Sequence, residues 1–124
     1  MTKKILIVDD NKGCCELYQQ RFEIDGYEVK SVFSAEEALK ILESGYKPNA
    51  ILLDILLPKM QGDELLPLLK SNPKYQDIKI IVFTALTLKP EHEKKIIDQA
   101  DDYVLKMDLT PKELVERVDK LILE

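Results

Sequence analysis

Four short apolar runs in this chain each stop on a polar residue capable of chemistry. Ile5-Leu6-Ile7-Val8 closes on Asp9 and Asp10, the run from Ala50 to Leu53 on Asp54, Ile80 to Phe83 on Thr84, and Tyr103-Val104-Leu105 on Lys106. Between them lie segments whose apolar residues recur at helical spacing. Short apolar runs alternating with helical periods are the sequence form of repeated βα units around a parallel sheet. In an open α/β sheet the functional groups gather at the carboxyl ends of the strands, so three carboxylates, a hydroxyl and an ammonium are expected on one rim.

Length and charge narrow the rest. A chain of 124 residues that is 45% hydrophobic is expected to form one domain, residues 1–124. Its formal net charge of −5 argues against direct nucleic-acid binding, which depends on cationic groups releasing counterions. Cys14 and Cys15 are adjacent and have no further partners, which excludes a disulfide framework or a zinc site of recognisable spacing and fits a cytoplasmic setting. They read as structural. Lys3 and Lys4 precede only four apolar residues before two aspartates, so no export segment is expected. No run approaches the roughly 20 apolar residues of a membrane span, so no membrane insertion is expected.

The helical segments can be placed by their stripes and punctuation. Cys14, Leu17, Tyr18, Arg21 and Phe22 outline a first helix that Asp25-Gly26 ends. Glu28 to Phe33 alternates weakly and reads as an edge strand. Ser34 and Glu37 form a capping box for a helix with Ala38, Leu39 and Leu42 inside, stopping at Gly45. Pro67 puts the start of a third helix near Glu64, or a kink within it, because an interior proline costs ~3 kcal/mol. A fourth helix, from Pro90 to Ala100, has only Ile96, Ile97 and Ala100 to anchor it and should be loosely held. Thr110 and Glu113 cap the last, with Leu114, Val115, Val118, Leu121 and Ile122 as its stripe.

Three neighbouring carboxylates repel one another and call for a cation. A hard divalent ion such as Mg²⁺ suits oxygen ligands, with Asp10 and Asp54 direct ligands and Asp9 direct or through water. A carboxylate beside Mg²⁺ and Lys106 can attack phosphorus, and Asp54, alone at its strand end, is the natural acceptor. Thr84 is placed to hydrogen-bond the phosphoryl oxygen.

Asp9-Asp10, Asp54 with Pro58 and Gly62, Thr84-Ala85, and Tyr103 ahead of Lys106 together resemble the receiver domain of two-component response regulators over the whole chain. The resemblance implies a flavodoxin-like (βα)5 three-layer sandwich, with a parallel five-stranded sheet of order 2-1-3-4-5. It implies a phosphohistidine donor on a sensor histidine kinase or histidine phosphotransfer protein, and the carbonyl of Leu56 as a further metal ligand. It also implies Tyr103 as a switch aromatic that turns inward when Thr84 moves, changing the face of the fourth helix, fifth strand and fifth helix. Such a protein is a phosphoacceptor rather than an enzyme. It acts through a downstream protein partner, as a monomer or a phosphorylation-dependent dimer.

The chain departs from the family pattern at a few positions. Met107 stands where proline usually follows the lysine; a cis bond there would cost ~2.5–4 kcal/mol, which points to a trans peptide and a differently aimed lysine. Gln61 and Gln99 replace an acidic residue and a glycine. Leu56 and Leu86 occupy positions that in this family influence the attacking water, and their apolar side chains imply a long-lived aspartyl phosphate. His92 reads as an exposed helical residue, and Ile96 stands where a zinc-binding HExxH would need its second histidine. The alternative function is a receiver-like interaction module independent of phosphorylation. A phosphatase is disfavoured because Leu56 replaces the general acid it would need. A flavin site is disfavoured by the acidic first loop.

Overall fold

The structure, a computed structural model, describes residues 2–123, so Met1 and Glu124, the ends of the expected domain, lie outside it. Five strands, β1 (Lys3–Val8), β2 (Tyr27–Val32), β3 (Ala50–Leu53), β4 (Lys79–Thr84) and β5 (Asp102–Leu105), pair in parallel in the order β2-β1-β3-β4-β5. The helices between and after them are α1 (Lys12–Ile24), α2 (Ala35–Glu43), α3 (Gly62–Lys70), α4 (Pro90–Gln99) and α5 (Pro111–Leu123). This is the flavodoxin-like architecture, with β2 at one edge as its weak alternation suggested.

Both faces of the sheet are covered, which is why the buried stretches of its inner strands, Ile5 to Val8, Ala50 to Leu53 and Ile80 to Phe83, are apolar without interruption. Leu6, Val8, Ile51, Leu53, Ile80 and Val82 pack under α2, α3 and α4; Ile5, Ile7, Leu52, Ile81 and Phe83 pack under α1 and α5. The register sets Val8 beside Leu53 and Leu53 beside Val82, so the residues that follow these strands emerge at one rim.

Helix boundaries follow their caps. Asn11 accepts from the Cys14 amide to start α1, and Gly26 takes φ 92° just beyond its end. Ser34 accepts from the Glu37 amide, while the glutamate reaches back to the serine hydroxyl. Thr110 and Glu113 form a reciprocal capping box. Three details differ from the sequence expectation. In α1 the buried residues are Cys15, Tyr18 and Phe22, whereas Leu17 is 53% exposed. Helix α3 starts at Gly62 and continues through Pro67, whose ring lies on the exposed side. In α4 Ile96 alone is buried; Ile97 faces solvent.

Candidate functional site

The rim gathers every residue expected there. Asp9 begins where β1 ends, its amide donating to the Val32 carbonyl, and Asp54 follows β3, its amide donating to the Val8 carbonyl. Asp9, Asp54 and Thr84 are buried, while Asp10 is exposed. One carboxylate oxygen from each of Asp9, Asp10 and Asp54 lies within 4.8 Å of the others.

Lys106 reaches into this cluster from the end of β5. Its Nζ stands 2.6 Å from Asp9 Oδ2 and 3.2 Å from Asp54 Oδ2. The Lys106–Met107 peptide is trans, and the chain passes into a 3₁₀ turn, Lys106–Asp108, yet the ammonium still arrives between the two buried carboxylates. Burial alone would lower the lysine pKa. The hydrogen bond to Asp9 and the charges of Asp54 and Asp9 outweigh it, raising the pKa above the ordinary lysine value.

Backbone amides fix the remaining oxygens. The Asn11 amide donates to Asp9 Oδ1 at 3.0 Å, and the Leu56 amide to Asp54 Oδ1 at 3.3 Å. The Leu86 amide donates to Thr84 Oγ1 at 3.2 Å, so the threonine hydroxyl holds the loop that leads to α4. Asp54, Leu56, Thr84, Ala85 and Leu86 line an open cleft of about 140 Å³. Tyr103, on β5, is half-buried; its hydroxyl is buried without a hydrogen-bond partner, and burial together with the Glu93 carboxylate raises its pKa.

The cysteines border the site without joining it. Cys15 donates its thiol proton to the Asp9 carbonyl, and burial followed by the Asp9 charge pushes that thiol up to about 11. The same two causes raise Cys14. Neither supplies thiolate readily at neutral pH, in keeping with a structural role.

Two features escaped the sequence. An added Cβ on Gly62 would collide with the Asp54 carbonyl oxygen and stand 2.8 Å from the Ile55 Cα, and the Gly62 amide donates to the Ile55 carbonyl at 2.8 Å. Glycine here lets α3 sit directly on the end of β3. His92 is also not simply solvated. Its Nε2 lies 2.9 Å from Asp63 Oδ2, across to α3.

Three carboxylates against one ammonium leave the cluster net negative and all-oxygen, a donor set that fits a hard divalent ion such as Mg²⁺. Residues 5–119 match the family model of the response regulator receiver domain. The chain belongs to that family, found in two-component systems. Among curated proteins this receiver is 38% identical over 120 residues to the probable transcriptional regulator ycf27 of Cyanophora paradoxa, covering 97% of this chain and 48% of that one. It is 37% identical to the alkaline phosphatase synthesis transcriptional regulatory protein PhoP of Bacillus subtilis, covering 98% and 49%. The chain thus spans about half the length of the curated relatives it matches. Among solved structures, the CheY-like receiver domain protein of Methanospirillum hungatei superposes with a TM-score of 0.86 at 32% identity, covering 98% of this chain and 94% of that one. The receiver domain of a Syntrophus aciditrophicus signal transduction histidine kinase superposes with a TM-score of 0.88 at 30% identity, covering 98% and 91%. Among the described residues no helix is long and apolar enough to cross a membrane.

Proposed function

We propose that this receiver is a phosphorelay switch in which Asp54 accepts a phosphoryl group from a phosphohistidine of a sensor histidine kinase or phosphotransfer protein. The observation that carries the reading is Lys106 Nζ held 2.6 Å from Asp9 and 3.2 Å from Asp54 beside the Thr84 cleft. In the step, an Asp54 carboxylate oxygen forms a bond to phosphorus as the phosphorus–nitrogen bond breaks. The donor imidazole leaves neutral, its other ring nitrogen carrying the proton. Lys106 neutralises charge on the transferring group, and the Leu56 amide keeps the other Asp54 oxygen oriented.

Asp10, Asp54 and the Leu56 carbonyl would hold Mg²⁺, with Asp9 direct or through water. When bound, the ion supplies charge neutralisation at the phosphoryl oxygens. Thr84 then exchanges its bond to the Leu86 amide for one to the phosphoryl group, and Tyr103 turns inward. These movements change the face of α4, β5 and α5 that a downstream protein reads. The single buried side chain of α4 suits a movable element.

The test is incubation with a small phosphodonor and Mg²⁺, followed by mass measurement. A hydroxylamine-sensitive phosphoryl gain that is lost in Asp54→Asn supports the switch. No gain under saturating donor contradicts it and leaves a module that binds partners regardless of phosphorylation.

A further inference from the structure

His92, the one histidine in the chain, stands in the first turn of α4, and its partner Asp63 in the first turn of α3. Each lies at the end of an arm that starts at the cleft shared by Asp54 and Thr84. One arm runs from Asp54 through Gly62, seated on the Asp54 carbonyl, to Asp63. The other runs from Thr84 through its bond with the Leu86 amide into α4. The 2.9 Å contact between His92 and Asp63 closes the two arms into a ring. Helix α4 has little else to hold its first turn: Ile96 is its one buried side chain, and its N-cap residue Lys89 makes no side-chain capping bond.

We propose that His92 and Asp63 form a proton-dependent clasp that holds α4 against α3 in the unphosphorylated arrangement, so that acid opposes the phosphorylation switch and mild alkali eases it. This rests on reading Asp54 as the phosphoacceptor and α4 as the element that moves. An imidazole changes charge between about pH 5 and 8. Protonated, it gives the carboxylate a charge-assisted hydrogen bond; neutral, it gives a weaker one. Asp63 depends on that partner, because its other oxygen, Oδ1, is buried and unpaired.

Among the described residues Asp63 alone pairs with the imidazole. The flanking ionisable groups are Glu64 on α3 and Lys89, Glu91, Glu93, Lys94 and Lys95 on α4, of mixed sign; β5 adds Tyr103, which senses Glu93. The His92 side chain is 44% exposed, so solvent screens the pair and the effect is a few-fold modulation rather than an on/off lock. By linkage, a phosphoryl mimic that opens the clasp also releases protons.

The experiment measures half-saturation of the chain by beryllofluoride with Mg²⁺, read from the NMR signals of α4 amides, at about pH 6 and about pH 8. Wild type is compared with His92→Gln and Asp63→Asn, each of which removes the ion pairing while leaving a hydrogen bond between the two helices available. The half-saturating concentration in wild type is expected to rise on acidification by about two- to fourfold more than in either variant. Equal pH dependence in all three overturns the clasp alone. Absence of beryllofluoride binding in all three overturns the phosphoacceptor reading, and the clasp with it.

Discussion

Gly62 packs its bare Cα against the Asp54 carbonyl so closely that no side chain fits between α3 and the end of β3. Gly62→Ala must therefore push α3 away or tilt the backbone that carries Asp54. The expected outcome is a loss of about 2–4 kcal/mol in chemical denaturation, the range of severe overpacking, together with weakened phosphoryl uptake. An unchanged denaturation midpoint would show that the close approach is dispensable.

Lys106 spans two carboxylates, and the sign of its pH effect follows from its raised pKa. The pairing stabilises the fold fully below the unfolded lysine value of about 10.4 and is lost as pH rises through the higher folded value. Lys106→Met should be less stable by about 2 kcal/mol, below the roughly 3–5 typical when a fully buried pair is broken. That difference should stay level between about pH 7 and 10 and shrink above it. Thermal unfolding of both proteins across this range checks it.

Mg²⁺ should stabilise the chain by occupying the acidic rim. At tenfold excess over its dissociation constant the gain is about 1.4 kcal/mol, and a chelator reverses it. Asp10→Asn should lose most of that gain, although Asp10 is exposed and contributes little to packing. A calorimetric scan with and without Mg²⁺ measures the difference.

Leu56 and Leu86 both line the cleft beside Asp54, and neither can orient a water molecule toward phosphorus. The aspartyl phosphate should persist longer in wild type than in Leu56→Asn or Leu86→Glu, by about tenfold or more, since general-base assistance contributes roughly 10²–10⁴ when fully developed. Phosphoryl loss followed after donor removal gives the comparison.

The rim was legible because β1, β3 and β4 are buried on both faces, so each shows as an unbroken apolar run whose first polar residue marks the strand end. The helices were less so. In α1, Leu17 and Cys15 lie on opposite flanks of the arc marked by Tyr18 and Phe22, and the small thiol rather than the leucine meets the sheet; helical period alone does not tell toward which flank the buried arc leans. Ile96 and Ile97 pose the same ambiguity, and the structure buries only the first. Met107 suggested a differently aimed lysine, yet a long flexible side chain reaches the carboxylates from a trans peptide. Asp63 and His92 lie in different helices and carry no local signal of their pairing; only the docking of α4 beside α3 reveals it.

The identity of the acceptor is tested most directly by trapping the acyl phosphate. After reaction with a small phosphodonor and Mg²⁺, borohydride reduction converts a phosphorylated aspartate to homoserine, which peptide mass spectrometry locates. The expected result is conversion at Asp54 alone, dependent on donor and on Mg²⁺. Conversion at Asp9 or Asp10, or none at any aspartate under saturating donor, would contradict it.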